Sequence, residues 1–338
     1  MIFYLVTPAG HGTVEYVSSW GPAPNSRMRY LLYDDLRRIR SLATGTYVFT
    51  DLERLSPPQL QLARQLWQTL SEAGSATRRV NDPSRVLCRF DLLQRLFAEG
   101  SNRFRAVRAN ESFHVLGSLR YPVFVREEKE HTGNLTSLLY GPGDLTRQLR
   151  RLRLKGYYAK DLLVVEFCDT SDASGIFRKY SAFRIAGKVI PRHVLFSPQW
   201  HLKTPDLAHP QLEAERDEYL DGNPHEARIV RLFELAGIDY GRIDYSVLNG
   251  ELQVWEINSN PKVRKLTPRL TACFEELDVA TSTETAIPWT MSSELDRALA
   301  RDARRRSWTA WHRATFRRAR RSSYLGRVLD LVATGERT

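Results

Sequence analysis

Between Gly241 and Pro261 the chain reads Gly241-Arg242-Ile243-Asp244-Tyr245 and alternates through Val247 to the pair Asn249-Gly250. It resumes at Glu251 and ends in Val254-Trp255-Glu256-Ile257-Asn258-Ser259-Asn260-Pro261. Alternation on both sides of an Asn-Gly pair predicts two antiparallel strands joined by a tight turn. The ribbon carries an arginine, two carboxylates and a carboxamide. Hard oxygen donors of this kind suit Mg²⁺, which takes one or two protein carboxylates and completes its shell with water and substrate phosphates. The stretch therefore predicts a place where a nucleoside triphosphate is held and broken.

Register decides whether those donors meet. A two-residue turn puts Leu248 opposite Glu251 and sends Glu256 to the face away from Asp244. A three-residue loop, Leu248-Asn249-Gly250 with Gly250 as the left-handed bulge residue, pairs Val247 with Glu251, Arg242 with Glu256 and Asp244 with Val254. Asp244, Glu256 and Asn258 then share a face. Because a one-residue slip flips every side chain, only the three-residue loop builds a metal site, and it is the pairing expected here.

Arg-Ile-Asp-Tyr, a short hairpin and Glu-Ile-Asn-Ser-Asn-Pro together resemble the metal-binding end of the ATP-grasp ligases. The resemblance covers roughly residues 80–263 and is strongest from Gly237 onward. It implies Asp244, Glu256 and Asn258 as ligands for two Mg²⁺ ions, with Mn²⁺ as a substitute, and Arg242 as the group that stabilises the reacting carboxyl. It also implies an α/β fold in which two lobes clamp ATP behind an N-terminal α/β lobe.

At 338 residues and 42% hydrophobic the chain is long enough for two or three lobes with real cores. No apolar run approaches the ~20 residues of a spanning helix. The start, Met1-Ile2-Phe3-Tyr4-Leu5-Val6, has the pattern of a buried strand without a basic lead. Cys88, Cys168 and Cys273 are scattered without metal-site spacing, as reduced thiols in a cytoplasmic protein would be.

Four segments are expected. Residues 1–80 alternate strand (2–6), helix (28–42), strand (46–50) and helix (56–73), a small α/β unit of the kind that helps ATP-grasp enzymes hold substrate. Residues 81–165 form a central lobe with a helix at 84–98 and a strand at 121–126. Residues 166–290 form the lobe with the metal hairpin, preceded by a hairpin at 176–194 and helices at 210–221 and 224–236. Residues 291–338 are a basic helical extension.

The resemblance places further residues around ATP. Arg126, at the end of Tyr121-Pro122-Val123-Phe124-Val125, stands where the family delivers a phosphate-binding Lys. The following loop, Glu128–Asn134, departs from the family by being acidic and by holding only Gly133. Arg89 stands where another basic residue is common. Glu166 and the Phe167 backbone match the positions that read the adenine edge, Asp169 or Asp172 the ribose, and Lys203 a second phosphate contact. The hairpin at 176–194 adds Arg178, Lys179, Arg184, Arg192 and His193, a basic face suited to a triphosphate and an acidic substrate.

The chemistry implied is ATP-dependent joining of a carboxylate to an amine, small-molecule or peptide-like, through an acyl phosphate with release of ADP and phosphate. A kinase-like outcome is the alternative within the family. A rival of another class comes from the net charge of +11, of which residues 289–338 hold +7, 12 Arg against 5 acids. Trp308, Trp311, Tyr324, Leu325 and Leu329 interleave with those arginines. The tail is either a helix docking its apolar side on the core or a binder of an anionic partner such as nucleic acid or a membrane surface, with the core catalytically silent.

Overall fold

The computed structural model describes residues 1–8, 10, 27–130, 133–202, 207, 209–263, 266–278 and 286–306. They form a mixed α/β protein of two compact units, the larger from the described residues of 1–103 and 168–295, the smaller from those of 104–167 and 296–306.

The larger unit begins with a parallel sheet of β1 (Ile2–Val6), β2 (Met28–Leu32), β4 (Gly45–Phe49) and β5 (Thr77–Val80) in the order β2-β1-β4-β5. β1 and β4 are buried at every position, as continuous apolar strands inside a parallel sheet are. A two-residue strand, β3 (Ser41–Leu42), pairs with β13 (Ile287–Pro288). Helix α1 (Pro57–Glu72) starts at Pro57 behind Ser56, whose amide donates to Gln59 Oε1 at 3.1 Å.

The helix expected over 28–42 is absent: the segment is β2, a single turn at Asp35–Arg37 and β3. Leu31, Leu32, Leu36 and Ile39 fit a helical spacing. β1, however, is an apolar strand with two open edges, and pairing along its whole length with 28–32 satisfies one of them. Tertiary pairing outweighs a weak local preference.

The same unit contains a four-stranded antiparallel sheet, order β10-β9-β11-β12, from β9 (Phe177–Ile185), β10 (Lys188–Ser197), β11 (Gly241–Leu248) and β12 (Glu251–Asn258). One face, with Tyr180, Ala182, Val194, Ile243, Tyr245, Val254 and Ile257, packs on α2 (Arg89–Ala98), α5 (Pro210–Gly222) and α6 (Glu226–Ala236). The other face is divided. Phe183, Ile185 and Ile190 pack with residues of the parallel sheet and α7 (Pro268–Leu277), and Lys179, Ser181, His193, Arg242, Asp244 and Glu256 lie on the same face beyond them.

The smaller unit has a three-stranded sheet, order β6-β8-β7, from β6 (Ala106–Arg108), β7 (Val123–Glu127) and β8 (Leu162–Glu166). It is covered by the short α3 (Phe113–Gly117) and by α4 (Pro142–Leu154) over a core of Val107, Leu116, Val123, Val125, Leu145, Leu152 and Val164. The expected C-terminal helix is described over 293–306. Trp308, Trp311 and the arginines beyond lie outside the described residues, as does Lys203.

Candidate functional site

The β11–β12 turn has two residues, not three. Leu248 pairs with Glu251, and Asn249 and Gly250 sit at φ 52° and 79°, the left-handed pair of a type I′ turn. The three-residue loop expected from sequence is corrected accordingly. The donors nevertheless share a face, because a β-bulge follows. Tyr245 pairs with Val254 and Asp244 with Glu256, leaving Trp255 as the extra residue, and Arg242 then pairs with Asn258. The bulge restores the alternation that a plain two-residue hairpin would have lost.

The bulge is held from outside the sheet. β12 is an edge strand, and at Val254 the buried Asn102 replaces a neighbouring strand. Its Nδ2 donates to the Val254 carbonyl at 3.0 Å and its Oδ1 accepts the Val254 amide at 2.9 Å. Gln253 Oε1 accepts the Arg103 amide at 2.8 Å, and Trp255 Nε1 donates to Ser246 Oγ at 3.0 Å.

Asp244 is buried. Its Oδ1 accepts from Ser181 Oγ at 2.9 Å and from Arg242 Nε at 3.0 Å, and Lys179 Nζ lies 2.7 Å from Oδ2. Burial alone would raise its pKa, and so would the Glu256 charge, but Arg242 and Lys179 overcome both and hold the carboxyl below its ordinary value. Glu256 accepts from Arg89 Nη2 at 2.6 Å. Asn258 Oδ1 accepts the Asn260 amide at 2.8 Å, and Asn260 Nδ2 donates to Asp51 at 3.1 Å, at the carboxyl end of β4. Three cations thus touch two opposed carboxylates. His193 lies on the same face, opposite Ser181 after a bulge at Arg192. Its pKa falls to about 4, chiefly through burial, with Arg242, Arg192 and Lys179 adding to the fall and Asp244 opposing it, so the ring is neutral at pH 7.

The donor set fits magnesium by its chemistry, two carboxylates and an amide oxygen on one strand pair. Among the described residues no three His, Cys, Asp or Glu side chains cluster, so the Asn258 oxygen has to complete it.

The remaining expected residues have partners of their own. Glu166 is buried, and its two oxygens receive five donors at 2.9–3.2 Å: the amides of Arg105 and Arg120, Arg105 Nε, and Arg120 Nε and Nη2. The Phe167 amide donates to the Pro122 carbonyl at 2.9 Å. In sequence, a strand exit whose acid anchors two arginines looks the same as one whose acid meets a ligand. Asp169 is exposed and closes an Asx turn on Ser171, and Asp172 accepts from Ile176, Ser174 and Arg178. Arg126 is half-buried on β7, opposite Leu163 and bridged to Asn134. In the loop after it, the acidic Glu128 forms a fork with Arg108 at 2.9 and 2.9 Å.

The basic hairpin splits by alternation. Lys179 and His193 join the carboxylate face, whereas Arg178 pairs with Glu215 on α5 and Arg184 lies over Phe233 on α6. Ser181 goes unnoticed in the sequence, and Asn260 is read only as part of the motif. A serine two residues beyond a lysine carries no signal until β9 is paired with β11, which puts Ser181 opposite Asp244.

No family model and no curated protein matches the chain. Solved structures do. It is similar to D-alanine–D-alanine ligase from Bacillus anthracis complexed with ATP, at 12% identity and TM-score 0.47 over 82% of this chain and 94% of that one. It is similar to N5-carboxyaminoimidazole ribonucleotide synthetase from Thermotoga maritima, at 12% identity and TM-score 0.47 over 85% and 77%. A RimK domain ATP-grasp protein from Sphaerobacter thermophilus aligns at 13% identity and TM-score 0.43 over 82% and 96%.

Proposed function

We propose that this chain is an ATP-dependent ligase that activates a carboxylate as an acyl phosphate and joins it to an amine. The observation that carries the reading is the bulged β11–β12 hairpin, which sets Asp244 directly opposite Glu256 with Arg242 and Asn258 on the same face. Asp244, Glu256 and Asn258 would hold Mg²⁺, which supplies neutralisation of the charge developing on the transferred phosphoryl group.

The other side chains divide the remaining work. The substrate carboxylate attacks the γ-phosphorus and ADP departs. The amine then adds to the acyl carbon and phosphate departs. Arg242 is the donor fork for the tetrahedral oxyanion. Lys179 is a second cation on the same face, able to trade Asp244 for a phosphate oxygen. Arg89 is the buried counter-charge that orients Glu256, and Ser181 orients Asp244. Asp169 is the ribose partner.

Calorimetric titration with Mg·ATP, followed by a phosphate-release screen over paired acids and amines, tests the reading. Asp244→Asn and Glu256→Gln should each lower turnover by at least about 10³-fold while the circular dichroism spectrum is kept. A double variant that still consumes ATP at the parental rate would overturn the assignment.

A further inference from the structure

Helix α4 and the turn after it carry a charge pattern that the ligase reading leaves unused. From Tyr140 to Lys160 there are six cations, Arg147, Arg150, Arg151, Arg153, Lys155 and Lys160, against the one acid Asp144. Arg147 pairs with Asp144 at 3.3 Å. The other five have no carboxylate within ion-pair distance among the described residues.

At 3.6 residues per turn, Leu145, Leu149 and Leu152 form the stripe that packs on the β6-β8-β7 sheet. Arg147, Arg150, Arg151 and Leu154 fall on the opposite side. Leu154 is 41% exposed, and two tyrosines flank the helix, Tyr140 73% and Tyr158 50% exposed. A helix face that only needs to be wet commonly mixes both signs, because opposite charges three and four residues apart stabilise it and like charges do not. The dipole accounts for Arg151 and Arg153 in the last turn. It does not account for Arg147 and Arg150, for the missing acids, or for exposed rings beside the arginines.

We propose that this face of α4, with Tyr140 and Tyr158, binds a single-stranded nucleic acid. Arginine forks match phosphate oxygens, and the helix presents several in one row. Exposed tyrosines offer flat surfaces on which unpaired bases stack, the combination that sequence-tolerant strand binding uses. An acidic polypeptide would satisfy the charge but would bring no flat base to the exposed rings. The surface is independent of the ATP reading, since it involves no residue placed there.

The test is fluorescence anisotropy of the full chain with a labelled oligouridylate of about 12 nucleotides, across a salt series. Binding should weaken linearly in log–log salt. In Arg147→Ala/Arg150→Ala/Arg151→Ala affinity should drop at least about tenfold and the slope should shrink by about 2, as expected when three phosphate contacts go at ~0.7 ions each. The triple lysine variant should keep the parental slope, which separates lost charge from a lost fold. Tyr158→Ala should weaken binding without changing the slope. An alanine variant that binds like the parent would place the interaction on the C-terminal arginines and overturn the proposal. A poly-glutamate peptide that binds more tightly than the oligonucleotide would do the same.

Discussion

Glu166, expected to read an adenine edge, is held by two arginines of its own unit. Burial would raise its pKa, yet the Arg120 and Arg105 amides and the Arg120 guanidinium hold it below the usual glutamate value. A folded pKa below the unfolded value, ~4.3, means the stabilisation is complete above that pH and is lost as pH falls through the folded value. Glu166→Gln should therefore cost about 2 kcal/mol in urea unfolding at pH 7. At pH 3 the gap between variant and parent should narrow. An unchanged gap would mean that the charge is not what matters. Asp244 is held low in the same sense, but by Arg242 and Lys179 inside the candidate site.

At the scale of the element, the β11–β12 hairpin reaches a metal-competent face through a turn and a bulge acting together. Their contributions are separable. Asn249 occupies a left-handed position at φ 52°, and Asn249→Ala should lower stability by about 1 kcal/mol with Mn²⁺ affinity unchanged, because register beyond the turn is fixed elsewhere. Asn102→Ala strips both hydrogen bonds from Val254 beside the bulge. It should cost about 2 kcal/mol and also weaken Mn²⁺ binding, read by calorimetry, because the bulge is then free to slip. Equal metal affinity in the two variants would show that Asn102 has no part in placing Glu256.

Across the larger unit, one side chain ties the parallel sheet to the entry of the site strand. Asn81 is fully buried at φ 67°. It donates to the carbonyls of Phe49 at 3.0 Å and Tyr240 at 2.9 Å, and accepts the amides of Asp239 and Tyr240 at 2.8 and 2.9 Å. All four of its hydrogen-bonding positions are used, one residue ahead of β11. Asn81→Ala leaves four backbone groups, three of them buried, to find water and should cost about 3 kcal/mol or more, measured by the urea midpoint. A loss under about 1 kcal/mol would mean that the clasp is replaced by solvent.

Much of this protein is legible in its sequence. The hairpin from Arg242 to Asn258, the apolar strands 2–6 and 45–49, the helix opened by Ser56-Pro57 and the hairpin around Gly187 all follow from local periodicity and turn chemistry, which depend on near neighbours alone. The bulge at Trp255, the strand at 28–32, the division of the basic hairpin into two faces and the capture of Glu166 by two arginines do not. Each is fixed by a group distant in the chain: Asn102 at an edge, β1 with an unpaired side, a helix covering one face, Arg105 and Arg120 across a sheet. The donors were set by sequence, whereas their meeting on one face was decided by tertiary hydrogen bonding, because a strand's side-chain direction reverses with every residue and only its partners fix the count.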